Sequence, residues 1–201
     1  AAMRNIIERF SIDLDFDLIA TNEVLEVNKH FIKIFKNLGL KIKDHSQKVP
    51  QFFLKYPNKK DQRNTLRLDV TFPPPFNNEY EPYRLTEIDR VIFCHTLETM
   101  FSNKLVAIME RYEKYKSIAG RDIYDVHTFF FKGLRYNPKI IEERRSSSLK
   151  IFFTNLLKFI ENKVTQTVID EDLNHLMPKE NFQKIRRHLK SEVAMFLKDE
   201  L

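Results

Sequence analysis

Across residues 9–19, Phe10, Ile12, Leu14, Phe16 and Leu18 fall on one side of a period of two, and Arg9, Ser11, Asp13, Asp15 and Asp17 on the other. Successive side chains of a strand point to opposite faces, so this alternation predicts a half-buried strand with an acidic outer face. Same-face residues two apart lie about 7 Å from each other. Two carboxylates at that spacing repel by roughly 0.6 kcal/mol in water and about 2 kcal/mol at an effective dielectric of 20. Aspartate is also a poor strand former. Three in a row therefore carry a cost that folding alone does not require. One reading is a solvated strand face. The other is a site for a hard divalent cation, since Mg²⁺ takes one or two carboxylates together with substrate phosphates.

Thr21 can cap a helix, with Glu23 in its first turn, running to about Leu38 before Gly39. Strands are predicted near Gln51–Tyr56 and Thr65–Phe72. The latter alternates again, with Leu66, Leu68, Val70 and Phe72 inward and Arg67 and Asp69 outward. If these strands are neighbours, Asp69 offers a third carboxylate. Pro73-Pro74-Pro75 ends the strand, because proline cannot donate to a ladder. Residues 73–83 read as a linker, and beyond them helices are predicted near 86–115, 122–134, 138–162, 167–175 and 179–198. The expected outline is α+β: a mixed α/β lobe over 1–83 followed by a helical lobe over 84–201.

Only 3 Gly occur among 201 residues, and neither GxGxxG nor GxxxxGK[ST] is present, which excludes Rossmann and P-loop phosphate cradles. A net charge of +6 favours a polyanionic partner such as nucleic acid or nucleotide. Cys94 is the single cysteine, so neither an intrachain disulfide nor a cysteine zinc site is expected, and a reducing, cytoplasmic compartment fits. The 6 His show no paired ligand spacing. No membrane-spanning run and no signal-peptide core are expected. The closing Lys198-Asp199-Glu200-Leu201 is read as a coincidental match to an ER-retention address.

On the helix through residue 104, Lys104 falls within the stripe Leu97, Phe101 and Ile108. An ammonium there must snorkel, pair with an acid, or meet a ligand's phosphates. Arg111, one heptad on, extends the same side. Gly120-Arg121-Asp122-Ile123-Tyr124-Asp125 opens the next helix. Asp122 suits an N-cap and Asp125 the first turn; alternatively either one orients Lys104, Arg121 or a substrate. Lys184, Arg186, Arg187, His188 and Lys190 make the last helix basic and amphipathic, which fits either a phosphate-backbone contact or a solvated surface.

Arg9-Phe10-Ser11-Ile12-Asp13-Leu14-Asp15-Phe16-Asp17, Lys104-Leu105-Val106-Ala107 and Arg121-Asp122-Ile123-Tyr124-Asp125, in that order, resemble the R-F-S-x-D-L-D-F-D, K-L-x-A and R-D-x-Y-D segments of the AbiEii-type nucleotidyltransferases. These are the toxins of AbiE abortive-infection toxin–antitoxin systems. The resemblance spans residues 9 to 126, and from about 138 onward it extends only to helical character. It implies a nucleotidyltransferase-like core lobe and a helical lobe. It implies a Mg²⁺ pair at Asp13 and Asp15, with Asp69 as a third carboxylate. Lys104 would contact nucleotide phosphates and Asp122 would belong to the active site, with Ser11, Arg121 and Asp125 as further nucleotide-site residues. The implied reaction moves a nucleoside monophosphate from a nucleoside triphosphate to an RNA acceptor, tRNA being the expected one, and a cognate antitoxin is the expected partner.

Members of that family carry a Gly-Gly or Gly-Ser pair roughly a dozen residues before the first metal aspartate, where small size lets backbone amides approach a triphosphate. Here the sequence starts at Ala1, past that point. The expectation is therefore twofold: a transferase whose pair lies upstream, or a non-catalytic protein of the same fold binding RNA or a protein partner. Transfer onto a protein hydroxyl would use the same residues.

Overall fold

A computed structural model describes residues 1–19, 24–46, 48–59 and 64–201. The expected cap Thr21 and first-turn Glu23 lie outside the described residues. The protein is α+β, with eight α-helices and two small sheets among the described residues. It forms two compact units, one from Ser11–Pro74 and the other from Ala1–Phe10 together with Pro75–Leu201.

The smaller unit is a four-stranded sheet with one helix. Its strands are β1 (Asp13–Asp17), β2 (Lys41–Ser46), β3 (Gln51–Lys55) and β4 (Thr65–Thr71), in the order β1-β4-β3-β2. β1 runs parallel to β4, and the other pairs are antiparallel. Between β1 and β2 lies α1 (Val24–Asn37), ended by Gly39 at φ 68, a left-handed angle that glycine adopts at little cost. Phe35, Phe52, Leu54, Leu68 and Val70 form the core, joined by Leu14, Leu18 and Phe31. Phe35 meets Phe52 edge-on at 5.0 Å, a favoured aromatic geometry. Of the inward set predicted for β4, Leu66, Leu68 and Val70 face this core, whereas Phe72 falls beyond the strand's end.

β1 is shorter than its alternation suggested. Arg9 and Phe10 belong to the other unit, where Arg9 is buried and the Phe10 amide donates to the Leu176 carbonyl at 2.7 Å. Leu14 and Leu18 pack inward, while Phe10 and Phe16 remain exposed. β2 was not anticipated. It is an edge strand, and Lys-Ile-Lys-Asp-His-Ser carries one apolar residue, so it leaves little hydrophobic pattern to read.

The larger unit opens with a hairpin rather than a linker. β5 (Tyr80–Leu85) pairs with β6 (Arg90–His95) through a turn in which Asp89 takes φ 48 and bonds Arg84 at 2.5 Å. The helix predicted from 86 accordingly starts later, as α2 (Leu97–Tyr115), where the Thr96 hydroxyl accepts from the Thr99 amide. Then follow α3 (Gly120–Phe131), α4 (Pro138–Arg145), α5 (Leu149–Lys163), α6 (Gln166–Leu173), α7 (Lys179–Ile185) and α8 (Leu189–Asp199). The helix predicted over 138–162 is thus two, broken where Ser146 turns left-handed at φ 47, and that over 179–198 is also two. A core containing Phe101, Leu105, Ile123, Phe129, Phe152 and Leu156 binds these helices together, and Ile6 and Ile7 from the N-terminal segment join it. Among the described residues no helix is long and apolar enough to cross a membrane.

Candidate active site

The predicted residues fall into two sets, one in each unit. In the four-stranded unit, the parallel register places Asp13 beside Arg67, Asp15 beside Asp69 and Asp17 beside Thr71. Partners in register share a face, and neighbouring strands lie about 4.8 Å apart. The condition for a third carboxylate is therefore met: β1 and β4 are neighbours, and Asp69 stands next to Asp15. That face carries four carboxylates against one guanidinium. Side by side, Asp15 and Asp69 repel by about 3 kcal/mol at an effective dielectric of 20.

Asp69 is held from both sides. Gln51 Nε2 donates to its Oδ1 at 2.6 Å, and Arg67 Nε lies 2.6 Å from its Oδ2. An ionised carboxylate has about four acceptor positions, so these contacts orient Asp69 without exhausting it. Ser11 lies just before the strand, its hydroxyl donating to the Asp13 carbonyl at 3.3 Å. Among the described residues no group of three or more acidic, histidine or cysteine side chains is gathered as a ready-made metal cage. The donor set is nevertheless all hard oxygen with two members adjacent, and Mg²⁺ needs only one or two carboxylates besides its substrate oxygens. The adjacent pair Asp15 and Asp69 is a donor set of the type that ion takes.

In the helical unit, α2 and α3 bring Lys104, Arg111, Asp122 and Asp125 together, and Arg9 joins from the N-terminal segment. Asp125 has no exposed surface, and Arg9 grips it with two parallel bonds, Nε to Oδ1 and Nη2 to Oδ2, each 2.7 Å. Lys104 Nζ lies 2.9 Å from Asp125 Oδ2 and 3.8 Å from Asp122 Oδ1. Arg111 Nε donates to Asp122 Oδ2 at 2.8 Å. Burial alone would push the Asp125 carboxyl up, but Lys104 and Arg9 outweigh it and hold it below the usual carboxylate range. Burial likewise opposes the Lys104 charge, and Asp125 with Asp122 overcomes it, so that ammonium titrates above its ordinary value.

Of the three fates open to Lys104, pairing with acids is the one observed. The cluster holds three cations and two carboxylates, leaving one positive charge. Asp125 is sealed, whereas the Lys104 side chain is 32% exposed. Arg111 is open to a similar degree, at 31%.

Asp122 is not an N-cap. Ala119 holds that position, and the Arg121 amide is satisfied by Asp172 Oδ2 of α6 at 2.9 Å. Arg121's own guanidinium also reaches Asp172, at 3.4 Å. Gly120 allows this approach, because a Cβ there would meet the Val168 carbonyl oxygen at 2.7 Å and Ile169 Cα at 2.8 Å. Sequence reasoning missed Gln51 and Asp172, and also Arg9, which the period of two assigned to a solvent-facing strand position. Its only signal was its place in the first motif.

The family model described as "Nucleotidyl transferase AbiEii toxin, Type IV TA system" matches residues 1–198. The chain belongs to the AbiEii family. Neither a curated protein nor a solved structure matches it. As an AbiEii chain it carries that family's general character, a toxin nucleotidyltransferase of a toxin–antitoxin system, and the implication of a cognate antitoxin.

Proposed function

We propose that this AbiEii protein transfers a nucleoside monophosphate from a nucleoside triphosphate to the terminal hydroxyl of an RNA, with tRNA as the expected acceptor, in a Mg²⁺-dependent reaction. The observation that carries the proposal is the register that sets Asp15 beside Asp69, in a chain whose family is one of nucleotidyl transferases. In this reading the four-stranded unit is the nucleotidyltransferase core.

Asp13, Asp15 and Asp69 would hold the metal, which when bound lowers the pKa of an attacking hydroxyl and offsets the charge of departing pyrophosphate. Arg67 and Gln51 keep the Asp69 carboxylate oriented. Lys104 supplies a fixed positive charge for nucleotide phosphates. Asp125 and Asp122 position Lys104, and Arg9 positions Asp125 in turn. The acceptor hydroxyl attacks the α-phosphorus and pyrophosphate leaves, so no protein nucleophile is needed. Ser11 remains a candidate nucleotide contact, and Arg121 supports the site by tying α3 to α6.

The test is transfer of label by the full-length protein, incubated with total tRNA, Mg²⁺ and each labelled nucleoside triphosphate in turn, beside an Asp13→Ala/Asp15→Ala control. Label on RNA with the wild type alone supports the reading. Label on a protein band changes the acceptor class, and label on neither sinks the enzymatic reading in favour of a binding protein of the same fold.

A further inference from the structure

The last two turns of α2 join aromatic rings to positive charge in a way that the proposed chemistry does not use. Lys104, Arg111 and Tyr115 stand at i, i+7 and i+11, so they lie along one face of the helix, with Tyr115 about 16 Å beyond Lys104 at 1.5 Å per residue. Tyr115 is 60% exposed, so its ring is open to a stacking partner. Lys114 Nζ lies 5.0 Å from its ring centroid. Next to it, Tyr112 packs edge-on against Phe159 of α5 at 5.2 Å, with Lys116 Nζ at 5.5 Å and Lys163 Nζ at 6.0 Å from its centroid.

The neighbouring acids do not cancel this charge. Glu110 is claimed by Arg144 and Glu113 by Arg145, both of α4, and Glu161 by Lys198 at 3.2 Å. Lysines beside accessible rings are the two components of a single-strand nucleic-acid surface: stacking platforms for bases and cations for the phosphates. An acidic protein segment would be met by the charge but would gain nothing from the rings.

We propose that the C-terminal end of α2, with the end of α5, docks unpaired RNA: a base stacks on Tyr115 while flanking phosphates meet Lys114, Lys116 and Lys163. The proposal rests on the RNA-acceptor reading above and deepens it, because the stripe from Tyr115 through Arg111 leads to Lys104.

The test is equilibrium binding of a short fluorescein-labelled single-stranded RNA to the full-length protein without nucleotide, with the same sequence as a duplex for comparison. Tyr115→Ala should weaken single-strand binding roughly tenfold, with little effect on the duplex. Tyr115→Phe should restore it, since the ring and not the hydroxyl is used. The triple variant Lys114→Gln, Lys116→Gln, Lys163→Gln should reduce the slope of log K against log salt by about 2. These side chains are exposed, so the variants should melt like the wild type.

Wild-type single-strand affinity in the Tyr115→Ala protein, or an equal loss on duplex, would overturn the proposal. So would displacement of the probe by poly-glutamate with Tyr115→Ala unchanged, which would indicate an acidic protein partner. A wild type that binds through Tyr115 yet transfers nothing would fail the transferase reading and keep the surface. A wild type that transfers to RNA, with an unaltered KM for RNA in Tyr115→Ala, would overturn the surface alone.

Discussion

Asp125 lies fully buried between Arg9 and Lys104, and removing it would leave the buried Arg9 without its carboxylate and take from Lys104 the nearer of its two acids. Breaking a buried ion pair from one side costs about 3–5 kcal/mol. Asp125→Ala should lose that much in urea unfolding at neutral pH. The pH dependence has a definite sign. A carboxyl whose folded pKa is depressed binds fewer protons folded than unfolded, so its contribution is complete above the ordinary Asp pKa of about 4 and fades as pH falls through the lower folded value. The raised Lys104 contributes fully below about 10.4 and fades as pH climbs through its higher folded value. Unfolding free energy should therefore drop steeply below about pH 4, and less steeply in Asp125→Asn. A wild-type acid limb in that variant would contradict the assignment. Lys104→Gln should cut transfer by about 10²-fold, the usual loss of one preorganised charge contact.

Helices and strands were legible where burial stamped a period on the sequence, and illegible where it did not. β4 was read correctly because Leu68 and Val70 are buried at a spacing of two. The β5–β6 hairpin was not, since Pro82 interrupts one strand and Val91 and Phe93 of the other remain exposed. The break between α4 and α5 depends on one residue, Ser146, adopting a left-handed angle that serines seldom take. The acidic face of β1 was visible in full, whereas its pairing with β4 required a register that periodicity does not carry. Gly120→Ala puts a methyl carbon against the backbone of α6, which cannot retreat as a side-chain tip would. It should cost about 1–3 kcal/mol by the usual penalty for overpacking, seen as a lower melting temperature. An unchanged melting temperature would mean that α3 and α6 part freely.

The chain enters the helical unit twice, through residues 1–10 and again from residue 75. Ile6 and Ile7 complete its core, and Arg9 neutralises Asp125. Burial of each isoleucine contributes about 1.5–3 kcal/mol. A fragment of residues 75–201 should consequently melt well below the full chain, and a peptide of residues 1–10 added in excess should raise its midpoint. No rise would mean that the segment is held but not required. The hold of Arg9 on Asp125 was not legible, because an ion pair over 116 positions of chain leaves no local trace, and neither were Gln51 beside Asp69 and Asp172 beside Arg121. The account as a whole stands on the β1 and β4 carboxylates acting through Mg²⁺. The most direct measurement is label transfer to RNA against Mg²⁺ concentration, for the wild type and for Asp15→Asn. The account predicts transfer that vanishes on chelation and falls more than about 10²-fold in Asp15→Asn, with a melting temperature no lower than that of the wild type. Transfer that survives chelation, or an Asp15→Asn protein as active as the wild type, would contradict it.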